Sequence, residues 1–222
     1  MTDINRVLLA PYSTKLSTWY LAGGISSSNC IAAYRPKGAA SLAASYSNIA
    51  NPGTYDAALG TAPTWDATDG WIFDGSSQYL KTGVIPTNDQ TWSIIIRFSN
   101  SSTTTAYQTI CGDGYNPSLS IWVDKTSNNK FDWDNGGETV GTRPALTNGV
   151  VCIAGTKAYK NATDEGITII PFSGTITDDM WIGKNNYATP YWWAGYIQAL
   201  AIYNSTLTST QVSAVTTAIN AL

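Results

Sequence analysis

The chain contains no histidine, and glutamate occurs only at Glu138 and Glu165. Without histidine it lacks the side chain most used as a general base near neutral pH and the commonest transition-metal ligand. Charged residues make up 12% of the 222 residues, about half of the roughly 25% usual in soluble domains. The net charge is −3 and there is no basic run, which argues against nucleic-acid binding through phosphate neutralisation. Cysteine is scarce: Cys30, Cys111 and Cys152 have no CxxC spacing, and each sits in an apolar, strand-like run. They read as buried reduced thiols, with one disulfide plus a free thiol as the alternative. No apolar run approaches the ~20 residues of a membrane span, so membrane insertion is not expected. Met1 to Arg6 lack a basic segment leading into an apolar core, and Val7 to Ala10 is too short to serve as one. The expectation is synthesis in a cytoplasm without passage through the general secretory route.

What the chain does have is rings. Aromatic residues make up 12%, with nine Trp and thirteen Tyr, so the low charge does not signal disorder. It signals a surface of Ser, Thr, Asn, Gly and Tyr, and the length suffices for one large core. The stretch from Gly70 to Gly83 reads as strand, turn and strand. Trp71 and Phe73 leave one face, Asp74-Gly75 makes the turn, and Tyr79 and Lys81 oppose Leu80 on the return. This is expected to be a hairpin.

Residues 1–28 mix short apolar patches with Pro11, Gly23-Gly24 and serines; they read as an extended arm or irregular cover ahead of a domain at 29–222. Within that domain, Asn29 to Tyr34 begins a series of about a dozen short strands separated by turn signals. Residues 39–49 read as a short helix or loop, and 54–68 as a linking stretch. The clearest strand runs from Thr91 to Phe98, with Trp92, Ile94, Ile96 and Phe98 on one face and Ser93, Ile95 and Arg97 on the other. A long strand over 193–203 is read with Ile197, Ala199, Ala201 and Tyr203 opposing Tyr196, Gln198, Leu200 and Ile202. The chain closes on a helix: Thr208 and Gln211 have capping-box spacing, and Val212, Val215, Ile219 and Leu222 form one stripe. Strands without alternating helices predict an all-β, antiparallel two-sheet jelly-roll sandwich with a short C-terminal helix.

Three blocks carry a resemblance. They are Ile31-Ala-Ala-Tyr34; Trp71-Ile-Phe-Asp-Gly-Ser-Ser-Gln-Tyr-Leu80; and Trp193-Ala-Gly-Tyr-Ile-Gln-Ala-Leu-Ala-Ile-Tyr-Asn-Ser-Thr-Leu-Thr208, which runs into the helix. Together they resemble the concanavalin A-like lectin/glucanase superfamily in its laminin-G-like form. The resemblance implies the sandwich fold and places Trp193 in the core. It departs where the family carries an acidic pair, here Gln198-Ala199, and the Glu-x-Asp-x-x-Glu pattern of the glycosidase branches is absent.

Asp132 and Asp134 lie two residues apart, about 7 Å along a flat strand, within the separation that glycoside hydrolysis uses. They precede Asn135-Gly136-Gly137, where turn chemistry alone accounts for aspartate. With Asn135 they also resemble the start of a calcium loop, which takes oxygen ligands, so calcium is the one cofactor the pattern admits. Asp178-Asp179 is a second acidic pair. For sugar, the mix of rings and amides in Asn185, Asn186, Tyr187, Tyr191 and Trp192 is the best candidate, with Trp192 pointing away from the core side of Trp193. The expectation is a structural or binding module without catalysis: a phage virion surface protein, as capsid decoration or tail fibre, contacting host glycans. Its partners would be other virion subunits or further copies of itself, through residues 1–28. The alternative is a carbohydrate-binding lectin module of a cellular surface protein, extracellular or at the cell surface.

Overall fold

The computed structural model describes residues 18–87, 90–102, 107–114, 119–124, 129–135, 138–142, 144–170, 175–186 and 191–222. Its strands are β1 (Cys30–Tyr34), β2 (Ala58–Thr61), β3 (Thr64–Asp66), β4 (Gly70–Asp74), β5 (Tyr79–Lys81), β6 (Ser93–Ser99), β7 (Gln108–Gly112) and β8 (Leu119–Asp124), followed by β9 (Lys130–Asn135), β10 (Glu138–Val140), β11 (Gly149–Ala154), β12 (Lys157–Lys160), β13 (Thr163–Thr168), β14 (Trp181–Ile182) and β15 (Ala194–Tyr203). A one-turn helix α1 (Leu42–Ser45) and the terminal helix α2 (Ser209–Asn220) complete the described elements, with two 3-10 turns at Trp19–Leu21 and Ser27–Asn29. The strands form two antiparallel sheets. One is eight-stranded, in the order β13-β12-β11-β6-β15-β4-β3 with β1 also paired to β15; the other is seven-stranded, in the order β10-β9-β8-β7-β14-β5-β2. The architecture is the expected sandwich.

The main core lies between the sheets. Ile94, Ile96 and Phe98 of β6 meet Ile121, Val123, Phe131 and Trp133 of β8 and β9. Phe98 packs edge-on against Phe131 and Trp193, each with ring centroids 5.7 Å apart, the geometry that aromatic quadrupoles favour. A second apolar layer lies on the outer face of the larger sheet. There Ile95, Cys152, Ala199, Ala201 and Tyr203 are covered by Val212, Val215 and Ile219 of α2 and by Trp19 and Tyr20. Burying each such aliphatic side chain stabilises by about 1.5–3 kcal/mol. The helix starts at the expected capping box, with the Gln211 amide donating to Thr208 Oγ1 (3.2 Å) and the Thr208 amide donating to Gln211 Oε1 (2.9 Å). It ends on Arg97 of β6, whose guanidinium donates to the carbonyls of Ile219 (2.9 Å) and Leu222 (3.0 Å), a cation placed where the helix dipole favours one. Tyr203 Oη donates to the carbonyl of Tyr20 at 2.8 Å, which ties the segment before β1 to the same face. Among the described residues no helix is long and apolar enough to cross a membrane.

Three expectations are corrected. Gly70 to Gly83 is not a hairpin: β4 pairs with β15 and β3, whereas β5 pairs with β14 and β2 in the other sheet. The turn at Asp74 therefore carries the chain across the sandwich, and Trp71 and Leu80 enter the core from opposite sides. The even alternation read along β15 is interrupted by a bulge between Ile197 and Ala199. The extra residue puts Ile197, Leu200 and Ile202 in the main core and Ala199, Ala201 and Tyr203 on the outer face. The linking stretch 54–68 contains β2 and β3, both at sheet edges; β2 is exposed throughout, so no apolar alternation marked it.

The Asp74 crossing is held by its carboxylate. Oδ1 accepts from the amides of Ser76 and Ser77, both at 2.9 Å, and Oδ2 accepts from Ser77 Oγ at 2.7 Å. Partial burial pushes this carboxyl up, but the donors from Ser77 and Ser76 outweigh it and hold it well below the usual carboxylate range. A depressed native pKa means the stabilisation is present above the unfolded-state value near 4 and fades as pH falls below it. Asp74→Ala should cost about 1 kcal/mol at pH 7, discounted for the exposed position. The gap from the parent should narrow as urea titrations are taken from pH 5 towards pH 2. A gap that stays constant over that range would rule out the carboxylate as its source.

The three cysteines are free and buried. Burial pushes Cys30 up to about 12 and raises Cys111 and Cys152 further. A thiol reagent at pH 8 should label none of them in the native protein and all of them in denaturant. Rapid native labelling would contradict this packing.

Candidate functional site on the outer face of the seven-stranded sheet

Among the described residues, α2 and the residues before β1 cover the outer face of the larger sheet, whereas the outer face of the smaller sheet carries half-buried rings beside the buried Thr109, Ser120 and Asp132. Alternation decides what it carries. Leu80, Ile182, Ile121 and Phe131 point into the core, so Tyr79 and Lys81 of β5, Trp181 of β14, Trp122 of β8 and Asp132 of β9 point outward. Register sets their order: Lys81 lies opposite Trp181, Trp181 opposite Gly112, Thr109 opposite Trp122, and Trp122 opposite Asp132.

Two aromatic groups result. In the first, Tyr79 and Trp181 stack with centroids 4.8 Å apart, and Trp192 meets Tyr79 edge-on at 5.9 Å. Lys184 Nζ lies 4.6 Å from the centroids of Tyr79, Trp181 and Trp192, and Lys81 Nζ lies 5.0 Å from that of Trp181. Such placements stabilise by about 0.5–2 kcal/mol each. Tyr79 lies over Gly60 of β2, where any side chain would run into its ring. In the second group Tyr191 packs on Trp122 at 5.2 Å and on Tyr107 at 5.6 Å. Tyr79, Trp181, Trp192, Trp122 and Tyr191 are half-buried and Tyr107 is exposed, so each keeps part of its ring in solvent.

The segment carrying Lys184, Tyr191 and Trp192 is tied down by polar contacts. The Tyr191 amide donates to Asn185 Oδ1 at 3.0 Å, and the Thr109 amide donates to the Tyr191 carbonyl at 3.1 Å. The Asn186 amide donates to the Asp113 carbonyl at 2.9 Å, and the Trp193 amide to the Gly183 carbonyl at 2.8 Å. Beneath the second aromatic group the buried Asn185 Nδ2 and Thr109 Oγ1 have no hydrogen-bond partner among the described residues.

Of the residues singled out from sequence, Tyr191 and Trp192 lie on this face, one in each aromatic group. Trp193 is in the core, as the resemblance implied. Asn185 is fully buried and shapes the segment through its bond to Tyr191. Asn186 is half-buried beside it, and Tyr187 lies outside the described residues. Asp132 is 2% exposed on the same sheet, opposite Trp122 and Val140. The backbones of Asp134 and Asn135 follow it on β9. Among the described residues no three His, Cys, Asp or Glu side chains gather as a metal site. Of the second acidic pair, Asp179 accepts from Trp181 Nε1 at 2.9 Å and from the Gly83 amide at 3.1 Å. Sequence reading passed over Tyr79, Lys81, Trp122, Trp181 and Lys184 as site residues. The available signal was their alternation with Leu80, Ile121 and Ile182, but nothing local says which of two sheets has an open face. A separate cleft of about 330 Å³ is lined by Ser27, Ser28, Cys30, Asn51 and Tyr55 among others; it holds no ring pair, and its thiol is too basic to act as a nucleophile.

The fold defines the chain as an antiparallel β-sandwich. No protein-family model and no curated protein sequence matches it. Solved structures do. Trypanosoma rangeli sialidase in complex with sialic acid aligns over 97% of this chain and 39% of its own, at 10% identity and a TM-score of 0.63. The same enzyme with a difluoro-KDN ligand aligns over 84% of this chain and 32% of its own, at 13% identity and a TM-score of 0.60. Domain 4 of AbnA, a GH43 extracellular arabinanase from Geobacillus stearothermophilus, solved with arabinotriose, aligns over 85% of this chain and 98% of its own, at 18% identity and a TM-score of 0.54. At these identities the likeness is one of fold, and the chain spans about a third of the sialidase's length. The expectation of a structural or binding module without catalysis is corrected by these matches: the solved chains named here that share the fold are a sialidase and a domain of an arabinanase, so the fold gives no ground for setting catalysis aside.

The Gly60–Tyr79 contact has a direct test. Gly60→Ala should push Tyr79 off Trp181 and cost about 1–3 kcal/mol, with a change in the near-ultraviolet circular dichroism of the stacked pair. An unchanged spectrum would mean that the rings are not locked by the glycine.

Proposed function

We propose that the chain is a carbohydrate-recognising domain, a laminin-G-like jelly roll whose ligand lies across the outer face of the seven-stranded sheet. The observation that carries this reading is the row of half-buried rings on the outer side of the smaller sheet: Tyr79, Trp181 and Trp192, then Trp122 and Tyr191. Sugar rings present apolar C–H faces to aromatic side chains and hydroxyls to amides and carboxylates. Here the rings come with the half-buried Asn186 beside the second group, while Asn185, Thr109 and Asp132 are buried beneath. The arabinotriose named with the AbnA domain supports the same ligand class. The proposal concerns the ligand, and it is the same for a domain attached to a glycoside hydrolase and for one displayed on a virion.

Calorimetric titration with arabino-oligosaccharides and a panel of other plant and animal glycans tests it. Tyr191→Ala and Trp192→Ala should each weaken binding about tenfold, the effect of losing one well-packed ring, while the thermal midpoint confirms that the variants fold. A panel to which the parent chain binds nothing would refute the reading.

A further inference from the structure

Lys81 and Lys184 stand out among the cations of this face. Both are half-buried, and both sit against the rings of the first aromatic group, at 4.6–5.0 Å from the centroids. Among the described residues neither ammonium has a carboxylate within 4.0 Å: the ion pairs formed are Lys157 with Asp164 and Lys160 with Glu165. Neither lysine donates a hydrogen bond to a described residue, whereas Lys160 donates to the Thr142 carbonyl and hydroxyl. The nearby carboxylate of Asp179 is already engaged by Trp181 Nε1 and the Gly83 amide. The ring faces attract each ammonium electrostatically but offer no oxygen acceptor to its three N–H donors. Burial depresses the Lys184 pKa, and the charge of Lys81 depresses it further, so the two cations repel each other in a partly dry setting. An anion placed between them would relieve that repulsion and accept the idle donors in short, charge-assisted bonds.

The geometry points to an anion subsite at Lys81 and Lys184, so that the sugar recognised on this face carries a negative group, a carboxylate or a sulfate, seated beside Trp181 and Trp192. This rests on the carbohydrate reading and narrows it to acidic glycans. A polar neutral sugar would use the second aromatic group, around Tyr191, and leave the lysines idle.

The test uses matched pairs of probes: oligogalacturonate against its methyl ester for a carboxylate, and dextran sulfate oligosaccharide against plain dextran oligosaccharide for a sulfate. The whole chain should bind the acidic member of at least one pair tenfold or more tightly than its neutral partner, and the pair that discriminates identifies the anion. That preference should shrink as sodium chloride is raised from 50 to 500 mM, as expected for charges that salt can screen. Lys81→Met and Lys184→Met together should abolish the preference by bringing affinity for the acidic member down to that for its neutral partner; methionine keeps the stem packed on the rings, and an unchanged near-ultraviolet spectrum verifies it. Equal affinity for acidic and neutral members, or a preference that survives both substitutions, overturns the anion subsite and leaves sugar recognition standing. No binding to any of the four probes or to the neutral panel overturns both.

Discussion

Ile94, Ile96 and Phe98 of β6 point into the sandwich while Ile95 points the other way, and none of them can be left in water. The same holds on β11, where Val151 and Ile153 face inward and Val150 and Cys152 outward, and on β15 beyond its bulge. A sheet that is apolar on both faces needs a cover on each. The smaller sheet supplies one. The C-terminal helix, with Trp19 and Tyr20, supplies the other. Arg97 fastens that helix at its end, since an arginine on the outward face of β6 reaches the last carbonyls of α2. Everything functional follows from how these covers are allocated. Once they are used on the larger sheet, the outward positions of the smaller one need not be apolar, and Thr109, Ser120 and Asp132 among them are polar and buried.

Those outward positions are filled with rings and polar groups. Tyr79, Trp181 and Trp192 form one cluster and Trp122, Tyr191 and Tyr107 another, and Tyr79, Trp181 and Trp122 stand on strands whose other faces are locked into the core. A site built on packed strands is held more firmly than one built on a loop. The stretch with Lys184, outside the strands, is held by a bond from the Asn186 amide to the Asp113 carbonyl, and Tyr191 by a bond from the Thr109 amide to its carbonyl. Its buried Asn185 fixes the position of Tyr191. The low charge of the chain has a bearing here. With few ionised groups, two lysines against the same aromatic cluster are a concentrated feature of the surface.

The likeness to domains of glycoside hydrolases fits this division of labour without settling a reaction. What is shared with the sialidase and with the arabinanase domain is the way two antiparallel sheets stack, at 10% and 18% identity. Identity so low leaves the side chains on the open face to be read on their own chemistry. That is why the ring clusters and the lysines, and not the alignment, carry the functional proposals.

Strand and helix character were legible in the sequence wherever a residue's fate depends on its immediate neighbours. The β6 alternation, the capping box at Thr208 and Gln211, and the stripe of Val212, Val215 and Ile219 follow from periods of two or 3.6 residues, and the resemblance implied the core place of Trp193. The sequence by itself therefore determined an antiparallel sandwich with a terminal helix, and it marked Tyr191 and Trp192 as surface rings. Only the tertiary structure decided that β4 and β5 belong to different sheets, because an Asp-Gly turn closes a hairpin and a crossing equally well. Only it placed the bulge in β15, since one inserted residue reverses the face of every residue beyond it and leaves composition unchanged. And only it brought Lys81, Lys184, Tyr79 and Trp181 together. They come from two separate stretches of chain, 79–81 and 181–184, which meet through the pairing of β5 with β14, a long-range contact that no local window contains.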